Sequence, residues 1–129
     1  MITRNIEFNS GYSIQLFSDD EIWLGSIVID TNCDEYARYK EYCNGDKLIK
    51  IIRVETNPNH VNEGIASKLI KLTIKKFKKY NIVLLCSPCK RWEDTDTLKT
   101  VSDLEMFYSK FGFKRTKELV PTMILTTNN

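Results

Sequence analysis

A single mixed α/β domain is the fold class that this 129-residue sequence predicts. Three observations carry the expectation. The first thirty residues hold two runs of strand formers separated by a turn cluster. A nearly unbroken apolar run over 47–56 is followed by a basic amphipathic run over 63–80 and a second apolar run over 81–86. A last amphipathic stretch over 102–113 precedes two further strand-like segments. Strand, helix and strand in succession mark two parallel strands joined by a crossover helix, expected to be right-handed.

"GYSIQLF" (11–17) sets Tyr12, Ile14 and Leu16 against Ser13, Gln15 and Phe17, a mostly period-two pattern. "SDDE" (18–21) is a turn cluster and "IWLGSIVID" (22–30) is rich in strand formers, so the two runs predict an antiparallel hairpin. The polar, tyrosine-rich stretch 31–46 has room for a short helix from Asp34 to Tyr42, closed by Asn44 and Gly45. "KLIKIIRVET" (47–56) is apolar enough for a strand covered on both faces.

From Glu63 to Tyr80 Ile65, Leu69, Leu72 or Thr73, and Phe77 recur at spacings of three and four, with Ile70 and Ile74 widening the stripe. Lysines fill the rest of that surface, densest at the C-terminal end where the helix dipole favours cations. "NIVLLC" (81–86) reads as a short buried strand, and 87–100 as an irregular polar loop. Ser102 and Glu105 fit a capping box for a helix running to about Lys110. Gly112 ends that helix, and 113–127 supplies two closing strand segments around Pro121. No repeat, linker or low-complexity tract interrupts residues 1–129, which read as one domain.

Composition removes several classes of function. With 19 basic and 17 acidic residues the formal net charge is +2, too balanced for a nucleic-acid-binding domain on charge alone. No run approaches the roughly 20 apolar residues of a membrane span, and "MITRNIEFNS" has no apolar signal region. The expectation is a cytoplasmic protein with reduced thiols at its four cysteines.

"VETNPNHVNEGIAS" (54–67) carries the chemistry. It joins a strand to a helix, and a helix start leaves its first N–H groups unpaired with a partial positive charge, suited to phosphate oxygens. Gly64 lets a ligand approach the backbone, and Ala66 and Ser67 keep the first turn uncrowded. A single glycine is a weak signal, so an ordinary strand-to-helix turn remains the alternative. A second motif follows one strand and one loop later: Phe107 and Tyr108 on a helix, with Gly112 and Phe113 at its exit.

Together the two motifs resemble the GCN5-related N-acetyltransferase family. In that family an Arg/Gln-x-x-Gly-x-Gly/Ala loop holds the pyrophosphate of acetyl-CoA, and a later helix ends in Phe-Tyr-x-x-x-Gly-Phe. Here the loop reads Val61-Asn62-Glu63-Gly64-Ile65-Ala66 behind Pro58, and the exit reads Phe107-Tyr108-Ser109-Lys110-Phe111-Gly112-Phe113. The resemblance covers about 47–127. Val61 stands where the family has Arg or Gln, Val101 where many members have Asn, and the N-terminal third leaves little room for the family's first helices.

The resemblance implies a central, mostly antiparallel sheet with a splayed parallel strand pair and flanking helices. It also implies direct acetyl transfer from acetyl-CoA to a primary amine, on a protein lysine, a protein N-terminus or a small molecule. Backbone at Val54 to Thr56 would meet the pantetheine arm, and Val61, Asn62, Glu63, Gly64, Ile65, Ala66 and Ser67 the pyrophosphate. Tyr108 matches the general acid; its alternative is a core tyrosine with a satisfied hydroxyl. Glu55, at the strand end, is the candidate base, with Glu21, Glu93 or water as alternatives. No metal is expected, and the state is monomer or homodimer. The competing class is a non-catalytic protein of this fold that binds a protein or nucleic-acid partner.

Other signals are weaker. "CSPC" (86–89) could join Cys33 and Cys43 in a zinc site, but the latter spacing is not a knuckle, and free thiols are favoured. His60, the one histidine, reads as a surface loop residue. The lysine helix reads as a solvated face. Lys90, Arg91 and Trp92 could greet an acidic substrate or simply anchor their loop.

Overall fold

Strand pairing organises the chain. The computed structural model describes residues 1–86 and 100–128. In chain order the elements are β1 (Ile2–Phe8), β2 (Gly11–Phe17), β3 (Trp23–Asp30), α1 (Tyr36–Tyr39), β4 (Leu48–Thr56), α2 (Ile65–Lys76), β5 (Asn81–Leu85), α3 (Val101–Ser109), β6 (Lys114–Arg115) and β7 (Thr122–Leu125). Short 3-10 turns occupy Lys40–Tyr42 and Pro58–His60. The strands form one seven-stranded sheet in the order β1-β2-β3-β4-β5-β7-β6. Only β4 and β5 run parallel; every other neighbouring pair is antiparallel. This is the mixed α/β architecture expected, with α2 connecting the parallel pair.

Several local expectations need correction. β1 was not anticipated, because six of its seven residues are exposed and its apolar pattern is faint. It exists because "ITRNIEF" pairs residue by residue with β2, from Ile2 opposite Phe17 to Phe8 opposite Gly11. The helix expected over 34–42 shrinks to one turn of α-helix and one of 3-10. The capping box at Ser102 and Glu105 does not form. Thr100 is the cap, its hydroxyl accepting from Asp103 N–H at 3.0 Å, while Glu105 pairs with Arg115 at 2.5 Å. Burial of β4 on both faces holds only as far as Ile51; Ile52 and Arg53 are exposed. The loop residues Cys89, Lys90, Arg91, Trp92 and Glu93 lie outside the described residues.

Alternation along the strands sends side chains to two unequal clusters. On the face covered by α2 lie Tyr12, Ile14 and Leu16 of β2, Ile27 and Ile29 of β3, Ile49 and Ile51 of β4, and Ile82 and Leu84 of β5. Ile65, Leu69 and Ile70 of α2 close that core, and Tyr108 and Phe113 complete it. Burying each of these apolar side chains contributes about 1.5–3 kcal/mol before entropy is counted. On the other face Leu48, Val83 and Ile124 pack under Tyr39, with Cys33, Tyr36, Tyr42 and Cys43 around them. That small cover reaches only the β4–β5–β7 part of the sheet. On the β1 part of the same face Ile6 and Phe8 stand 45% and 46% exposed.

A fully buried amide ties the ends of this architecture. Asn81 opens β5, donates to Lys47 O (2.9 Å) and Asn44 O (3.1 Å), and accepts from Asn44 N–H (3.1 Å) and Thr127 N–H (3.0 Å). One side chain thereby fastens the loop before β4, the start of β5 and the C-terminal tail.

Candidate functional site

The parallel strands part within the sheet. β4 pairs with β5 from Leu48 opposite Asn81 to Ile51 opposite Leu84, and no further. Beyond that point β4 continues to Thr56 paired with β3, while Leu85 of β5 pairs with Thr122 of β7. The cause lies in the β3–β4 register. Ile29 faces Ile51 but Val28 faces Arg53, so Ile52 is an extra residue on β4. A bulge of this kind bends and twists the strand that carries it, which turns β4 away from β5. The parted pair expected from the resemblance is therefore present, and its opening begins at Ile52.

The exit from β4 is clamped to β3. Asn57 N–H donates to Leu24 O (2.8 Å) and its side-chain amide to Trp23 O (2.7 Å). Its side-chain Oδ1 accepts from Asn59 N–H (2.9 Å), starting the turn that Pro58 continues. Asn62 and Gly64 then take left-handed φ values of +66° and +75°, with Glu63 between them. Alternation of this kind gathers successive N–H groups into a concavity suited to an anion. Gly64 is the N-cap of α2 and provides no side-chain cap, so the first amides of the helix have no partner from that residue. A Cβ built on Gly64 would meet nothing within 4 Å, so the approach to these amides is open.

Gly25 explains how the strand end and the helix start come together. A Cβ there would lie 2.7 Å from Glu55 O and 2.7 Å from Ile65 Cγ2. The bare backbone lets Ile65 sit directly over β3 where it pairs with Thr56. Val54 and Thr56 share the α2 face, since their partners across the ladder are Ile27 and Gly25. Glu55 points to the opposite face beside Ser26 and pairs with Arg53 at 2.5 Å; its side chain is 14% exposed. Tyr108 lies on the α2 side, 8% exposed, with its ring edge-on to Phe107 (5.2 Å) and Phe113 (5.9 Å). Gly112, at φ +97°, makes the turn that returns Phe113 under Tyr108.

The structure thus gathers Val54, Thr56, Gly64, Ile65, Ala66 and Ser67 around one strand-to-helix junction. Val61, Asn62 and Glu63 form its outer rim, with Asn62 and Glu63 exposed. Tyr108 shares the main core with Ile65 and Val54. Glu55 stands apart from Tyr108, on the other face of the sheet. Val101 begins α3, half-buried against the main core. Sequence reasoning missed Asn57 and Gly25, although Asn-Pro is a turn initiator and a glycine within a strand signals close approach. It also missed the bond between His60 Nδ1 and the Glu63 carboxylate, at 2.9 and 3.1 Å.

The thiols divide between the faces. Cys86, 1% exposed in the main core, has its pKa pushed up to about 11, first by burial and then by the Glu105 carboxylate, with Arg115 opposing. Burial also raises the Cys33 and Cys43 thiols in the smaller cluster on the opposite face. Cys86 therefore does not converge with that pair as a zinc site would require. Among the described residues no helix is long and apolar enough to cross a membrane.

A sheet with one parted parallel pair, a crossover helix with an open, uncapped start and a Phe-Tyr helix exit defines the class of fold: that of the GCN5-related N-acetyltransferases. Comparison with solved structures agrees. Arabidopsis thaliana NAA60, solved with a bisubstrate analogue, matches with a TM-score of 0.66 at 13% identity, over 93% of this chain and 77% of its own. The assigned acetyltransferase of Exiguobacterium sp. 255-15 matches with a TM-score of 0.59 at 16% identity, over 92% of this chain. The chain spans only 64% of the length of that Exiguobacterium protein. The anti-CRISPR protein AcrVA5 matches nearly end to end, over 96% of this chain and 98% of its own, with a TM-score of 0.51 at 19% identity. No family model matches the sequence, and comparison with curated proteins gives no significant match.

Proposed function

We propose that this protein is an N-acetyltransferase that moves an acetyl group from acetyl-CoA directly to a primary amine. The observation that carries the reading is the coincidence, at one end of β4, of a parted parallel pair with the open, uncapped amides of α2. Residues of that kind fit the cosubstrate: N–H groups from Val61 to Ser67 suit a diphosphate, and backbone at Val54 to Thr56, beyond the last β4–β5 pairing at Ile51, suits an amide-bearing arm. When bound, acetyl-CoA supplies an activated thioester acyl group. The bulged strand's N–H groups are the donors available to a developing oxyanion. Glu55 takes a proton from the incoming ammonium, whose ordinary pKa of about 10.4 leaves it charged at neutral pH. Tyr108 holds a proton at its phenol oxygen and gives it to the departing sulfur. Because Glu55 and Tyr108 lie on opposite faces, the acceptor and the leaving group are served from opposite sides of the parted sheet.

Among the described residues the outer face keeps exposed apolar surface at Ile6 and Phe8. Among the described residues no helix separates β1 from β2, which are joined through Asn9 and Ser10, and the 31–46 segment packs on the β4–β5–β7 part of the outer face. That exposed surface favours an amine presented by a protein over an enclosed small molecule. The test is thermal stability with CoA or acetyl-CoA, followed by turnover across amines and peptides. Stabilisation and turnover are expected. Tyr108→Phe is expected to lower turnover about a hundredfold while CoA affinity holds within a few fold. Unchanged turnover removes Tyr108 from the mechanism, and no thermal shift at millimolar CoA refutes the reading as a whole.

A further inference from the structure

The loop that serves the diphosphate has an electrostatic fault. Val61 brings no cation, and Glu63 brings an anion, set between the two left-handed residues whose backbone forms the concavity. A carboxylate just ahead of a helix N-terminus is drawn toward that positive end, where it competes with a phosphate for the same N–H groups. Glu63 does not turn there. Its two oxygens lie 2.9 and 3.1 Å from His60 Nδ1, three residues back, on the last residue of the Pro58–His60 turn. Among the described residues the two side chains bond only to each other. His60 is itself fixed: its N–H donates to Asn57 O at 2.9 Å, and Asn57 is the residue clamped to β3. A chain of bonds from β3 through Asn57 and His60 therefore sets where the Glu63 charge sits.

We infer that His60 is a positioning residue for cofactor binding: it holds the Glu63 carboxylate away from the open amides of α2 and so keeps them available to a diphosphate. This rests on the reading of that junction as the CoA site. His60 needs no contact with the ligand to act. Its effect is expressed wholly through Glu63, which separates it from a residue that merely stiffens the loop.

A double-mutant cycle on the intact chain tests it, with CoA as the probe and dissociation constants measured by calorimetry. His60→Ala frees the carboxylate and is expected to weaken CoA binding about three- to tenfold. Glu63→Gln removes the competing charge and is expected to tighten binding. In the double variant, His60→Ala is expected to cost less than about twofold relative to Glu63→Gln alone. Equal losses from His60→Ala with and without Glu63→Gln overturn the inference, as does no loss in either. If the unmodified chain fails to bind CoA, the reading of the site falls together with the inference. Melting without ligand confirms that each variant is folded, which is expected because both side chains lie on an outer loop.

Discussion

Gly64→Ala separates the backbone cost of the junction from its role in holding a ligand. At φ +75° an alanine is strained by about 1–2 kcal/mol, offset in part by the lower entropy of its unfolded chain. No steric cost adds to this, since the new methyl meets nothing within 4 Å. A matched control exists in the same chain. Gly45 has φ +77° and an equally open Cβ position, but sits in the turn before β4. Both substitutions are expected to destabilise the free protein by about 1 kcal/mol, roughly 3–5 °C in Tm for a domain of this size. They part when CoA is added. At about 100 times its Kd, CoA contributes about 2.7 kcal/mol to the unmodified chain and to Gly45→Ala. If the methyl on Gly64 weakens binding about tenfold, the same concentration contributes about 1.4 kcal/mol. Melting each variant with and without CoA reads the difference directly. Equal CoA-induced shifts in Gly64→Ala and Gly45→Ala refute the placement of the diphosphate at this turn.

Other expectations follow from contacts elsewhere. Gly25→Ala forces a methyl to 2.7 Å from both Glu55 O and Ile65 Cγ2, and is expected to cost about 1–3 kcal/mol in urea unfolding by prising α2 from β3; a midpoint unchanged within error contradicts that packing. Asn81→Ala removes the side-chain acceptor of Asn44 N–H and Thr127 N–H and the donor to Asn44 O, while Lys47 O keeps the Asn81 backbone N–H, for a loss of about 3 kcal/mol and faster amide exchange at Asn44 and Thr127. Cys86 binds its proton more tightly when folded, so between its ordinary pKa of 9.0 and about 11 the native state holds more protons than the unfolded chain. Stability is therefore expected to decline as pH rises through that window, and Cys86→Ala to flatten the decline.

The exposed apolar residues of β1 bear on how this chain uses its fold. Ile6 and Phe8 remain exposed, and among the described residues no helix lies between β1 and β2. Phe8 lies across Gly11, where a Cβ would come within 2.4 Å of its ring. AcrVA5, matched over nearly its whole length, shows the same fold in a chain of comparable reach.

The sequence by itself determined the elements whose pattern is local. The stripe of Ile65, Leu69 and Ile70 against lysines specified α2, and the apolar runs specified β4 and β5, because a period of 3.6 or an unbroken hydrophobic run needs no partner to be read. The turn chemistry at Gly64 and the Phe107-to-Phe113 exit were legible for the same reason. Tertiary structure alone decided what depends on a neighbour. β1 is a strand only because β2 pairs with it, Thr100 rather than Ser102 caps α3, and Asn81 bonds across 37 and 46 residues of chain. The parting of β4 and β5 is of this kind too. It arises from one extra residue, Ile52, in the ladder with β3, and a bulge is a relation between two strands that neither strand's sequence records.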